Sequence, residues 1–255
     1  MLPSRFHPPL LPMPNPYETQ RLVDEYLLFH YGADREILPW DLGPTSALHF
    51  PVRTVSELLP PALAPARALD IGCATGRSAF ELSKSCASVL ALDYSHAFIQ
   101  AAQAIQTHGQ LPYHIAQEGH STQALTAFLP PDTHPDRVSF QQGDAMDLPD
   151  SLGPFDLVHA ANLICRLTHP LRFLQRLPSL LLPGGHLLLT TPCSWLAEFT
   201  PPDRWPTTST LDWLQQTLAP HFSLLHQKDL PFLIREHARK FQWSVALGTV
   251  WQRRS

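Results

Sequence analysis

The chain has 255 residues, enough to bury a sizeable core, and 44% of them are hydrophobic, which is ordinary for a globular protein. A formal charge of −4 with only 18 lysines and arginines offers no basic stripe to a nucleic-acid backbone, so nucleic acid is not an expected partner. The 4 cysteines are scattered and no signal-peptide pattern precedes them, as expected for reduced thiols in a cytoplasmic protein without membrane association, and the 14 histidines lack metal-ligand spacing, so no metal is expected.

Prolines number 27 of 255, about twice the usual ~5%. Pro3, Pro8, Pro9, Pro12, Pro14 and Pro16 interrupt any helix or apolar targeting run, so residues 1–16 read as an extended Pro-rich tail ahead of one domain over 17–255. From Tyr17 to Tyr31 the spacing of Leu22, Tyr26, Leu27, Phe29 and His30 fits an amphipathic helix closed by Gly32, a candidate lid.

The segment after the lid carries most of the information. An apolar run enters Asp70-Ile71-Gly72-Cys73-Ala74-Thr75-Gly76-Arg77, and a second run, Val89 to Leu92, ends in Asp93-Tyr94; together they make half of a nucleoside-binding βαβ unit. A dinucleotide fingerprint needs glycines at 72, 74 and 77, and Ala74 and Arg77 weaken that reading. A tight strand-to-helix turn in another doubly wound α/β protein is the bland alternative. The pattern Asp-x-Gly-x-Ala-x-Gly resembles the first motif of class I S-adenosyl-L-methionine (SAM)-dependent methyltransferases. That resemblance implies SAM as cofactor, with Asp70, Gly72, Cys73, Ala74, Gly76 and Arg77 around its methionine part. Asp93, with Tyr94 beside it, has two oxygens for the ribose hydroxyls.

Strand signals at 67–71, 88–93, 138–142, 155–161 and 185–191 alternate with helical stretches, and 222–230 and 243–252 supply two more. Pro130-Pro131-Asp132-Thr133-His134-Pro135 is a loop, and Pro183-Gly184-Gly185 a turn into a buried strand. The expected fold is α/β and Rossmann-like: a seven-stranded, mostly parallel sheet with helices on both faces, its last strand antiparallel as the resemblance implies. Ligands of such sheets lie beyond the carboxyl ends of the strands. There, Asp144 and the Ala145 N–H suit an adenine edge, and Asn162 faces the methyl group and amino-acid end of the cofactor. An Asx turn at Asp144 and a helix cap at Asn162 are the structural alternatives.

Several blocks resemble a narrower family. Glu25-Tyr26-Leu27-Leu28-Phe29-His30-Tyr31-Gly32, Gly143-Asp144-Ala145, Ala160-Ala161-Asn162-Leu163-Ile164-Cys165-Arg166-Leu167, the run from Thr191 to Pro201, the run from Ile234 to Gln242, and Val250-Trp251-Gln252-Arg253 resemble the methyltransferase module of ovothiol biosynthesis. That module is the 4-mercaptohistidine N-methyltransferase, and the similarity runs from about Tyr17 to Arg253. Cys193, where the pattern has a tyrosine, and Trp205-Pro206-Thr207-Thr208, without a Gly-rich continuation, depart from it on the substrate side.

The resemblance implies methylation of an imidazole nitrogen of 5-thiohistidine to ovothiol A, with S-adenosyl-L-homocysteine (SAH) as by-product. Glu198, His237 and Glu236 are then candidate bases for the ring proton, and Asn162 stands near the transferred methyl. Arg166 and Arg235 suit the amino-acid carboxylate, and Glu198 competes for the ammonium. Tyr26, Tyr31, Trp195 and Phe199 are candidate walls for the ring, against the plainer reading of aromatics as core. A separate sulfoxide synthase is a candidate partner. The alternatives are a SAM-dependent methyltransferase of another imidazole, thiol or carboxylate, and a non-catalytic SAM-binding accessory subunit.

Overall fold

The computed structural model describes residues 15–61 and 63–255. Residues 1–14 of the expected tail lie outside the described residues. Asn15 and Pro16 already belong to folded structure: the Asn15 side chain accepts the Tyr17 N–H at 3.2 Å and Pro16–Glu18 form a 3-10 turn. The elements that follow are α1 (Gln20–Tyr31), α2 (Asp34–Ile37), α3 (Phe50–Ser56), β1 (Arg67–Ile71), α4 (Arg77–Ser83), β2 (Ser88–Asp93) and α5 (His96–His108). Next come β3 (Gln110–Ala116), β4 (Thr122–Phe128), β5 (Val138–Gln142), β6 (Phe155–Ala161), α6 (Pro170–Leu180), β7 (Leu181–Thr191), α7 (Thr210–Leu218), β8 (Phe222–His237) and β9 (Lys240–Arg253).

Seven strands form one sheet in the order β5-β2-β1-β6-β7-β9-β8. β9 runs antiparallel to both β7 and β8, while the ladders from β5 to β7 are parallel. Alternation along the strands assigns the two faces. Ala68, Val89, Ala91, Leu157 and Leu188 join residues of α1, α3, α4 and α5 in one apolar cluster, whereas Leu69, Ile71, Val158, Leu187, Leu189 and Trp251 join α6 and α7 in the other. Each fully buried large side chain, such as Phe80, Phe173 or Trp251, contributes roughly 2–3 kcal/mol by leaving water. Among the described residues no helix is long and apolar enough to cross a membrane.

Four features differ from the sequence expectation. A separate hairpin, β3 with β4, stands between α5 and β5; it buries Tyr113, Ile115 and Ala127 in the cluster that holds α1. β7 begins at Leu181, ahead of the expected 185, because Leu181 already pairs with Phe155 and the ladder then shifts to Leu157–His186 around the Pro-Gly-Gly turn. β8 and β9 continue past the sheet as a two-stranded arm, pairing from Leu230–Ala246 to His237–Lys240. Gly32 follows α1 at φ −62°, not in a left-handed cap; a glycine is needed there for room, since a Cβ would lie 2.7 Å from the Leu28 carbonyl oxygen.

The turn from β1 into α4 depends on Gly76, at φ +88°, where a Cβ would sit 2.7 Å from the Phe140 ring and 3.0 Å from Ala102 Cβ. Left-handed strain and overpacking add. Gly76→Ala is therefore expected to lower the free energy of unfolding by about 2–4 kcal/mol in urea titration. Wild-type stability would remove this constraint on the turn.

Candidate functional site

The carboxyl ends of β1, β2, β5 and β6 open on one side of the sheet, and the loops that follow them leave from there. After β1, the Gly72 and Cys73 N–H groups both donate to Leu92 O, at 2.8 and 3.1 Å, which folds the glycine turn back over the end of β2. Asp93 completes the junction. Its Oδ2 accepts the Ala74 N–H and its Oδ1 the Ser95 N–H, each at 2.8 Å. Four lone-pair sites on a carboxylate leave acceptor capacity for hydroxyl donors. Burial pushes the Asp93 carboxyl up to about 6, against the lowering effect of those two N–H bonds.

Beneath the same turn Asp70 is 1% exposed. Its Oδ2 accepts from Ser78 Oγ at 2.7 Å, and its Oδ1 lies 2.7 Å from His159 Nδ1; His159 Nε2 in turn lies 3.0 Å from Thr54 Oγ1. Asp70 is thus placed beneath the turn, with a protein partner on each oxygen. Cys73 and Ala74 are buried in the turn, and Ala74 adopts φ +46°. Arg77 starts α4 and pairs with Glu81 at 3.0 Å. Tyr94 is 59% exposed beyond Asp93. After β5, Asp144 Oδ1 accepts the Met146 N–H at 2.8 Å, an Asx turn that leaves its second oxygen unspent, and Ala145 is buried behind it.

After β6, Asn162 adopts φ +52°, with its N–H on Thr190 O and its Oδ1 accepting from Thr190 Oγ1 at 3.0 Å, so the side-chain amide N–H groups are its free donors. The 3-10 turn Ile164–Arg166 then presents Arg166. Its guanidinium lies 4.8 Å over the Phe199 ring and donates to Cys165 O and Ser194 O. Phe199 stacks on Tyr17 at 6.1 Å, and Tyr17 meets Tyr26 at 5.9 Å and Phe98 at 5.6 Å. Burial pushes the Tyr17 phenol up, opposed by the Arg166 charge. Burial, then Tyr17, push the Tyr26 phenol well above its usual value.

Arg166, Phe199 and Tyr26 therefore come together, while the other expected acceptor residues do not join them. Arg235 is 2% exposed and donates to Glu36 O at 2.5 Å, Gln117 Oε1 at 2.9 Å and His237 O at 3.4 Å, so its fork is consumed in anchoring the β8–β9 arm. His237 Nδ1 accepts the Arg239 N–H in the tip of that arm, and Glu236 pairs with Lys240 and Gln242, which hold its carboxyl low. Trp195 packs edge-on to Trp213 of α7 at 5.7 Å and donates to Thr210, so it ties its loop to the far helix layer. Glu198 is exposed and has no hydrogen-bond partner among the described residues, whereas its neighbour Phe199 turns inward. Among the described residues no three His, Cys, Asp or Glu side chains gather to hold a metal.

Some contributors carry no motif. The strap before α1 is pinned over the site: Glu18 accepts the His96 and Ala97 N–H groups at the start of α5, and Ser95 Oγ donates to Tyr17 O at 2.9 Å. Tyr31 Oη donates to Thr75 O at 2.7 Å, fastening α1 to the glycine turn. The Tyr17-Glu18 pair directly ahead of the helix was the available signal in the sequence, read there only as the helix start.

A family model for the methyltransferase domain matches residues 46–238. A ubiquinone biosynthesis O-methyltransferase from Xanthomonas campestris pv. campestris is 28% identical over 157 residues, 60% of this chain and 55% of that protein, so the chain spans little more than half the length of this relative. NodS, an N-methyltransferase from Bradyrhizobium japonicum WM9 solved in complex with SAH, superposes with TM-score 0.54 at 16% identity over 91% of this chain and 99% of its own. A SAM-dependent methyltransferase from Methanosarcina mazei gives TM-score 0.54 at 17% identity, over 84% of this chain and 99% of its own. At these identities the structural likeness shows the fold.

Because Arg235 holds three acceptors while 2% exposed, Arg235→Ala is expected to cost about 3 kcal/mol of stability. Urea unfolding measures it, and wild-type stability would contradict the anchoring role.

Proposed function

The chain belongs to the methyltransferase domain family, and on that premise we propose that it transfers the methyl group of SAM to an imidazole nitrogen of 5-thiohistidine, forming ovothiol A. The observation that carries the acceptor side is an unpaired cation. Arg166 is half-buried, no carboxylate pairs with it among the described residues, and residues 1–14 contain no acid. Its charge faces the phenols of Tyr17 and Tyr26 and the Cys165 thiol. Charged groups withdrawn from water are usually paired, so the missing counter-charge belongs to an anionic acceptor. The rings of Tyr17, Tyr26 and Phe199 beside it suit a flat heterocycle. The resemblance of the Glu25–Gly32, Ala160–Leu167 and Thr191–Pro201 blocks to the thiohistidine module supplies the identity.

The residues present fit the cofactor. Asp93 has lone pairs left for two ribose hydroxyls, Asp144 has one oxygen unspent for the adenine amino group, and Asn162 has free amide N–H donors at the end of β6. When bound, SAM supplies an electrophilic methyl group on a sulfonium, which needs only an in-line nucleophile. The chain's contribution is mostly positioning. Arg166 holds the acceptor's anionic group, the strap and lid shut water out above it, and Glu198, exposed beside Phe199 in the loop after β7, gives the ring proton a route to solvent.

Incubation with SAM and 5-thiohistidine, with histidine as control, is expected to yield methylated thiohistidine and SAH from the thiolated substrate alone. Turnover of another imidazole, thiol or carboxylate instead would replace the acceptor, and SAH binding without any turnover would favour an accessory role. Arg166→Met is expected to raise the KM for the acceptor at least about tenfold, with SAH affinity unchanged, from loss of one charge-assisted contact. Equal KM would remove Arg166 from the acceptor site. Ribose hydroxyls donate more strongly to a charged Asp93 than to a protonated one. SAH affinity, followed by calorimetry, is therefore expected to fall as pH is lowered through about 6, and a flat profile would contradict the ribose role.

A further inference from the structure

The Arg166 guanidinium stands in a corner made of a thiol and aromatic rings. Its Nη1 lies 3.4 Å from Cys165 Sγ, within hydrogen-bonding range for sulfur, and its other bonded partners are the carbonyls of Cys165 at 3.2 Å and Ser194 at 3.3 Å. The guanidinium lies 4.8 Å over the Phe199 ring, and Tyr17 stacks on that same ring at 6.1 Å with 23° between the planes. Burial holds the Cys165 thiol in its neutral form. The cation is therefore surrounded by neutral, weakly polar groups, a setting that favours an anion whose charge is spread and whose hydration is weak. A thiolate on a heteroaromatic ring is such an anion. Sulfur is also the one atom that separates 5-thiohistidine from histidine. A site rejects an analogue lacking one group when the partner of that group is left unpaired away from water, and Arg166 is the group here that histidine would leave so.

We propose that Arg166 reads the sulfur of the acceptor: its guanidinium pairs with the thiolate on the flat heterocycle, and the amino-acid head is held by other groups. The inference rests on the thiohistidine reading of the proposed function and deepens it. The same contact prepares the nucleophile. In the neutral mercaptoimidazole the sulfur is negative and both ring nitrogens carry protons, so no lone pair faces the methyl group. A cation on the sulfur stabilises the anion left when one ring proton departs to solvent. The freed nitrogen lone pair then forms the N–CH3 bond as the CH3–S bond breaks, and the electron pair of that bond returns to sulfur. Anion and sulfonium thereby become a neutral zwitterionic ring and neutral SAH.

Calorimetric affinities for the SAH-loaded protein are measured in wild type, Arg166→Met and Arg166→Lys with three ligands. These are 5-thiohistidine, 4-mercaptoimidazole, which has the ring and sulfur without the head, and histidine, which has the head without the sulfur. Arg166→Met is expected to weaken both sulfur compounds about tenfold, the loss of one charge-assisted contact, and to leave histidine as it was. Arg166→Lys recovers most of that loss, because a single sulfur takes a point charge, while a bidentate carboxylate needs the planar fork. The acid limb of kcat for 5-thiohistidine moves to higher pH in Arg166→Met, where the ring proton is harder to remove. SAH affinity reports the fold of each variant; if Arg166→Met has lost it, Arg166→Gln, whose amide can still donate to the Ser194 carbonyl, takes its place. The proposal is overturned if Arg166→Met weakens histidine and leaves 4-mercaptoimidazole unchanged, which puts the carboxylate on Arg166. It is equally overturned if none of the three ligands responds, or if the wild type binds histidine and not 4-mercaptoimidazole. Failure of the SAH-loaded wild type to bind 5-thiohistidine would instead remove the acceptor reading itself.

Discussion

A carboxylate buried at the centre of a parallel sheet has to be fully bonded, and Asp70 meets that demand in a way that organises everything above it. Its partners come from three different elements: Ser78 on α4, His159 on β6 and, through His159, Thr54 on α3. His159 reaches it because the β1–β6 ladder sets the two residues side by side. Losing either direct partner leaves a buried acceptor short of a donor, so α4 cannot leave β1 and the turn between them has little freedom. Asp93 applies the same device one strand over, joining the Ala74 and Ser95 N–H groups and so fixing two turns against each other.

The surroundings of Arg166 are built differently. They lie at the end of β6 and against the segment before α1, which Glu18 and Ser95 fasten to α5, while α1 itself is held by its buried apolar face and by Tyr31 at the glycine turn. Arg166 has no carboxylate partner among the described residues and is stacked on Phe199 beside Tyr17.

The turns expected to meet the cofactor were legible as backbone because they are local. Asp70 to Arg77 and Asp93-Tyr94 are contiguous runs whose turn chemistry can be read residue by residue, and the strands at 67–71 and 88–93 stand where the apolar runs end in turn signals. Even there Asp70 lies below the turn, because its partner His159 is 89 residues away and no spacing reveals it. The surroundings of the residues expected at the acceptor were only partly legible for the same reason. Arg235 looked free beside other charges, yet its partner carbonyl on Glu36 lies 199 residues off. Trp195 looked like a wall for a ring, yet α7 offers it Trp213 and Thr210. The β3–β4 hairpin escaped notice because its short alternation of Tyr113 and Ile115 serves the layer under α1, outside the seven-stranded sheet whose pattern was sought.

The most direct test of the account is the structure of the protein bound to both SAH and 5-thiohistidine. The account predicts the ribose hydroxyls on Asp93, the anionic group of the acceptor on Arg166 under Tyr17 and Phe199, and one imidazole nitrogen about 3–3.5 Å from the position of the transferred methyl, in line with the sulfur. An acceptor held elsewhere, with Arg166 still unpaired, would contradict it.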